Sequence, residues 1–132
     1  MKLKLLSLLL VVGMLSGCSI DPTPASCYNQ LNMTTTAVTG PATVVVGTAA
    51  TFDVTFYVAN ACGDFNSFQQ TPDFPKSVVA LVDYDGCNCE QIQWYDEQPY
   101  TFTPTAVGTY EFRFLTDDPE EPIVRTLVVT AQ

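Results

Sequence analysis

Residues 51–59 read TFDVTFYVA, and the order of side chains in that stretch decides the fold. Phe52, Val54, Phe56 and Val58 recur at every second position, with Thr51, Asp53, Thr55 and Tyr57 between them. Only an extended chain places i, i+2 and i+4 on one face, so the stretch reads as a strand with one face in a core. Residues 108–114, GTYEFRF, repeat the pattern, with Tyr110, Phe112 and Phe114 inward and Glu111 and Arg113 outward. Shorter strands are expected at 33–38, 42–46, 77–83, 91–95, 100–103 and 123–130. Between them stand turn residues: Gly40-Pro41, Gly47, Asp85-Gly86, Gln98-Pro99, Gly108 and Asp117-Asp118-Pro119. No segment sustains a helical period. Strands and turns that alternate about every ten residues predict an all-β chain, an antiparallel β-sandwich of about seven strands.

The longest stretch without alternation is NACGDFNSFQQTPDFPK, 60–76, which reads as a loop. Phe65, Phe68 and Phe74 would tuck it onto the sandwich, and a loop of this length is also a place to look for a binding surface.

The amino terminus carries a different kind of information. Lys2 and Lys4 precede a largely apolar run from Leu5 to Leu15, too short for the roughly 20 residues of a membrane-spanning helix. The run ends in Leu15-Ser16-Gly17-Cys18, which resembles the lipobox of bacterial lipoproteins. That resemblance implies cleavage after Gly17, acylation of Cys18 on sulfur and at the new amino terminus, and a durable lipid anchor in the cell envelope. Ser19 in place of Asp, by resemblance to the enterobacterial sorting rule, implies the outer membrane. Residues 1–17 are thus expected as leader and 18–31, with Asp21, Pro22 and Pro24, as a tether, leaving 32–132 as one sandwich domain.

The end of the chain carries a second resemblance. TFTPTAVGTYEFRF (101–114) followed by IVRTLVVTAQ (123–132) is similar to the last strands of bacterial immunoglobulin-like domains. PATVVVGTAATFDVTFYV (41–58) is similar to their first two strands. In that group a Tyr placed as Tyr110 is forms a tyrosine corner, its hydroxyl bonding backbone just upstream. The Cys-Trp-Cys arrangement of antibody domains is missing, because 109–115 holds no Cys and Trp94 lies too late for the usual core tryptophan.

Composition narrows function by exclusion. The chain has no histidine, which removes Ser-His-Asp and Cys-His catalysis and the common zinc-hydrolase ligand sets. Beyond the leader, Lys76, Arg113 and Arg125 face all fourteen acids, a balance that repels nucleic acid and anionic head groups. Asp96 and Glu97 are adjacent on an expected strand, point to opposite faces and cannot act as a catalytic pair.

Four cysteines remain beside Cys18: Cys27, Cys62, Cys87 and Cys89. In an exported domain an even number reads as two disulfides. Cys87 and Cys89 lie roughly 6.6 Å apart along a strand, near the upper limit for a bridge. Each is therefore expected to reach Cys27 or Cys62, in either order, the third connectivity requiring a strained Cys87–Cys89 bond. Zinc would want paired C-x-x-C knuckles and a redox pair a single C-x-x-C, and neither occurs. DYDG (83–86) is a fragment of a calcium loop that the cysteines interrupt, and the acidic turn 117–121 reads as solvated. No cofactor is expected. The leading expectation is a non-catalytic, membrane-anchored envelope lipoprotein that meets another envelope protein. The alternative is a glycan-binding module that stacks sugar rings on Tyr84, Trp94, Tyr95 and Tyr100.

Overall fold

The computed structural model describes residues 26–132, so the expected leader (1–17), Cys18 and most of the tether lie outside the described residues. The described chain is all-β, with nine strands in two sheets. The strands are β1 (Tyr28–Met33), β2 (Thr35–Thr39), β3 (Thr43–Val45), β4 (Ala50–Val58) and β5 (Gly63–Gln70). They continue with β6 (Lys76–Asp85), β7 (Trp94–Phe102), β8 (Gly108–Phe114) and β9 (Ile123–Thr130).

The smaller sheet runs β2-β4-β7 and the larger runs β1-β6-β8-β9-β3, with β5 on the other edge of β6. β4 is the stretch whose alternation predicted a strand, and its Ala50, Phe52, Val54, Phe56 and Val58 are all buried. They meet the inner face of the larger sheet, where Val78, Phe112, Phe114, Leu127 and Val129 are buried. Rings meet across the gap: Phe52 and Phe112 are tilted with centroids 5.2 Å apart, and Tyr100 and Phe114 meet edge-to-face at 5.8 Å. A second, smaller buried set continues the core toward the end of β6, formed by Met33, Phe56, Val58, Ala80, Val82 and Tyr84.

The antiparallel expectation is corrected at two places. β6 pairs parallel with β8, and β3 pairs parallel with β9. β1 lies along residues 80–85 of β6, then the chain leaves for the smaller sheet as β2. β8 takes the vacated part of the same edge, alongside Lys76 to Val78. The path from β6 to β8 passes through the other sheet in β7, and such a crossover is what parallel neighbours require.

Three other expectations change. The stretch 60–76 is not a continuous loop, because Gly63–Gln70 within it form strand β5. A bulge between Phe65 and Ser67 adds one residue, so Phe65 and Phe68 both face the core although they are three apart. Their packing on Phe56, and that of Phe74 on Tyr110 and Phe112, is as the aromatic residues suggested. The strands expected at 91–95 and 100–103 are parts of one strand, β7, which begins at Trp94, ends at Phe102 and runs through the expected turn at Gln98-Pro99. β7 is an edge strand, where Pro is tolerated because no neighbour needs its N–H. Tyr28 to Leu31, expected in the tether, instead pair with β6 as part of β1. β1 is exposed along all but its last residue, so it carries no alternation to read.

Tyr110 bonds the backbone just upstream of it. Its hydroxyl donates to the Ala106 carbonyl at 2.8 Å, fixing the turn that carries the chain from β7 into β8.

Candidate functional site

The cysteines converge on one end of the larger sheet. β1 and β5 flank β6 on opposite edges, and both begin beside its last residues: Tyr28 is opposite Asp85, and Gly63 opposite Tyr84. The turn that follows β6 can therefore reach both strand starts. Cys87 is bridged to Cys27, with Cα atoms 5.0 Å apart, and Cys89 to Cys62, at 5.5 Å. Each cysteine of the C-x-C thus reaches a different strand start, and of the two orders left open by spacing the one formed is Cys27–Cys87 with Cys62–Cys89. Backbone bonds lace the same corner, with the Gly86 N–H donating to Cys27 O at 3.1 Å and the Asp85 N–H to Cys62 O. Gly86 has a φ of 151°, and a Cβ there would lie 2.8 Å from Cys62 Sγ. Both conditions call for glycine at the junction.

Each bridge ties segments far apart in sequence, 60 residues for Cys27–Cys87 and 27 for Cys62–Cys89. Constraint of the unfolded chain at these separations contributes roughly 2–4 kcal/mol per bridge. With their thiols consumed, the four cysteines have no thiolate to offer a metal. Among the described residues no group of three or more His, Cys, Asp or Glu could hold a metal ion.

The expected aromatic surface is not assembled. Tyr84 and Tyr100 are each 6% exposed and belong to the two different buried sets. Tyr84 continues the inward series Val78, Ala80 and Val82 of β6, and its hydroxyl accepts the Ala59 N–H at 3.0 Å. Tyr100 faces Phe52 across β7 and β4 and donates to Gln70 Oε1, and burial pushes its pKa up to about 12. Trp94 and Tyr95 remain at the surface, 37% and 64% exposed. Neighbours on one strand, they project to opposite faces. Trp94 Nε1 donates to the Asn60 carbonyl at 3.2 Å, and Tyr95 packs edge-on against Tyr57.

The acids of this region are engaged in bracing. Asp83, on the outer face of β6, accepts from Asn66 Nδ2 at 2.8 Å and Gln30 Nε2 at 2.7 Å, which joins β5, β6 and β1 through one carboxylate. Those donors hold its pKa below the ordinary aspartate value. Asp96 accepts from Gln98 and Glu97 from Thr55, on opposite faces of β7 as adjacent strand positions require.

Sequence reading did not single out the opposite end of β6, where the outer face of the larger sheet forms a cavity of about 400 Å³ beside Arg113. It depends on where the β8–β9 turn folds, and period-two patterns carry no information about that. No protein-family model matches the chain, and neither does a curated protein sequence or a solved structure.

Proposed function

We propose that this chain is a non-catalytic envelope lipoprotein: an immunoglobulin-like sandwich held at the outer membrane by acyl chains on Cys18, serving as an interaction module. The observation that carries the reading is the Cys27–Cys87 bridge. It fixes the chain to the end of β6 immediately after the tether, so a membrane anchor at Cys18 would pull on a covalent cross-link and not on the free end of β1. From Cys18 to Cys27 the chain can reach at most roughly 30 Å, which would keep the disulfide-closed end close to the bilayer. The four-residue lipobox supports the anchor, and the two-sheet core with the Tyr110 corner supports the immunoglobulin-like assignment. A glycan platform built on Tyr84, Trp94, Tyr95 and Tyr100 loses support, since two of its four rings are buried.

The test is fractionation of cells that express the wild-type chain or Cys18→Ala, with mass spectrometry of the wild-type amino terminus. Membrane association with acyl mass on Cys18, lost in the variant, is the expected result. Unchanged membrane association of the variant would overturn the assignment.

A further inference from the structure

The chain beyond the leader has three cations, and the fold treats them differently. Lys76 is buried, its Nζ donating to the carbonyls of Thr71 and Pro72 at 2.8 and 3.0 Å. Arg125 reaches across the sandwich to the Val38 carbonyl on β2. Arg113 stands on the outer face of β8 and lines the cavity of about 400 Å³. Its Nε donates to Glu111 at 2.7 Å, while among the described residues its two terminal nitrogens meet no acceptor. A guanidinium with its fork free is arranged to take a carboxylate through two parallel bonds.

The far wall of the same cavity comes from the β8–β9 turn, which sets Pro119, Glu120 and Pro122 opposite Ser77 and Arg113. Thr116 holds that turn in shape, accepting from the Asp118 N–H and lying within donating distance of the Asp118 and Glu121 carbonyls. The Glu120 N–H donates to Asp118 Oδ1, but the Glu120 carboxylate meets no donor among the described residues. Arg113 is ion-paired to Glu111 through Nε alone, so two terminal guanidinium nitrogens without an acceptor and one carboxylate without a donor share a pocket whose apolar lining is Leu115, Val124 and the two prolines. A second cavity of about 230 Å³ adjoins it through Ser77 and Leu115 and is bordered by Gln69, Gln70 and Thr71. Carboxamides and hydroxyls match peptide groups, each of which carries one donor and one acceptor.

We infer that this groove binds a short peptide with free ends, its carboxylate on the Arg113 guanidinium and its ammonium on the Glu120 carboxylate. Charge complementarity selects a zwitterion. A simple anion would meet the repulsion of fourteen acids, and a simple cation would leave the terminal nitrogens of Arg113 without an acceptor. The groove lies beside Ser77, roughly 25 Å along β6 from the disulfide-closed end. The inference does not depend on the lipid anchor.

Titration of the isotope-labelled full-length chain in detergent micelles with dialanine, followed through backbone amide resonances, tests it. Dialanine is expected to shift the amides of Ser77, Arg113, Leu115 and Val124 saturably at roughly millimolar concentration. N-acetyl-dialanine and dialanine amide, each lacking one end charge, should bind about tenfold more weakly, and R113Q should remove the discrimination against the amide. E120Q should remove the discrimination against the acetylated form. Both residues are at the surface, and unchanged resonances elsewhere would establish that the variants are folded. No saturable shift at these four amides, or equal binding of all three probes, would overturn the proposal.

Discussion

The two buried sets of the sandwich are built to different standards. The larger has ten buried residues, four of them aromatic, and lies between β4 and β7 on one side and β8 and β9 on the other. The smaller has six, including one phenylalanine and one tyrosine, and fills the space under the end of β6. Both disulfides lie at the end with the smaller set, and neither touches the larger. Apolar burial is worth roughly 25 cal/mol per Å², so a thinner buried set leaves its strands with less to hold them. Cross-links that limit the unfolded chain supply what is missing there. The same end carries the Asp83 network across three strands, a further brace where packing is sparse.

This contrast can be broken most forcefully through the bridges. Replacing Cys27, Cys62, Cys87 and Cys89 together by Ala is expected to lower the unfolding free energy by roughly 4–8 kcal/mol, at about 2–4 for each bridge. Urea unfolding measures the loss, and a change below about 2 kcal/mol would mean that packing alone holds that end. Next in size is Phe112→Ala in the larger set, fully buried and in contact with Phe52, Phe74, Tyr100 and Phe102. It should cost about 3–5 kcal/mol, and the same amount in oxidised and reduced protein, because distant sites add. Unequal costs would show that the two halves are coupled.

Tyr110→Phe removes one hydrogen bond from the turn into β8 and should cost about 1 kcal/mol in the same assay. The smallest effect belongs to Asp83. Its folded pKa lies below the ordinary value of 3.8, so the stability it contributes is complete above that value and is lost as pH falls through the folded pKa. Thermal melts between pH 5 and pH 2 should therefore drop more steeply for the wild-type chain than for Asp83→Asn. Parallel curves would remove Asp83 from the bracing.

Where the sequence was legible, and where it was not, follows the same physics. β4, β8 and β9 have one face in the larger buried set, so alternation was plain, and the expected 123–130 is the strand observed. β1 presents almost every side chain to solvent and left no pattern. β5 was hidden by a single bulge residue that shifts Phe68 out of phase with Phe65. β7 was split because Pro99 reads as a turn unless the strand is known to lie at an edge. The pairing of four cysteines into two bridges was readable from number and spacing. Which bridge formed required knowing that β1 and β5 flank β6.

The aromatic residues show the cost of reading neighbours in sequence as neighbours in space. Tyr84 follows Val78, Ala80 and Val82 at steps of two, and Tyr100 precedes Phe102 by two, so both inward positions were already written in the alternation. The Arg113 groove had no comparable signal. It arises where a turn folds over the outer face of a sheet, and only the tertiary path brings Glu120 and Ser77 to one cavity.

Native-state hydrogen exchange of the full-length chain, with both bridges intact and after reduction, tests most directly whether the two ends are held by different means. Reduction is expected to speed exchange in β1 and β5, while β8 and β9 keep their protection. Equal acceleration in all four strands, or no acceleration in any, would contradict a fold that is packed at one end and cross-linked at the other.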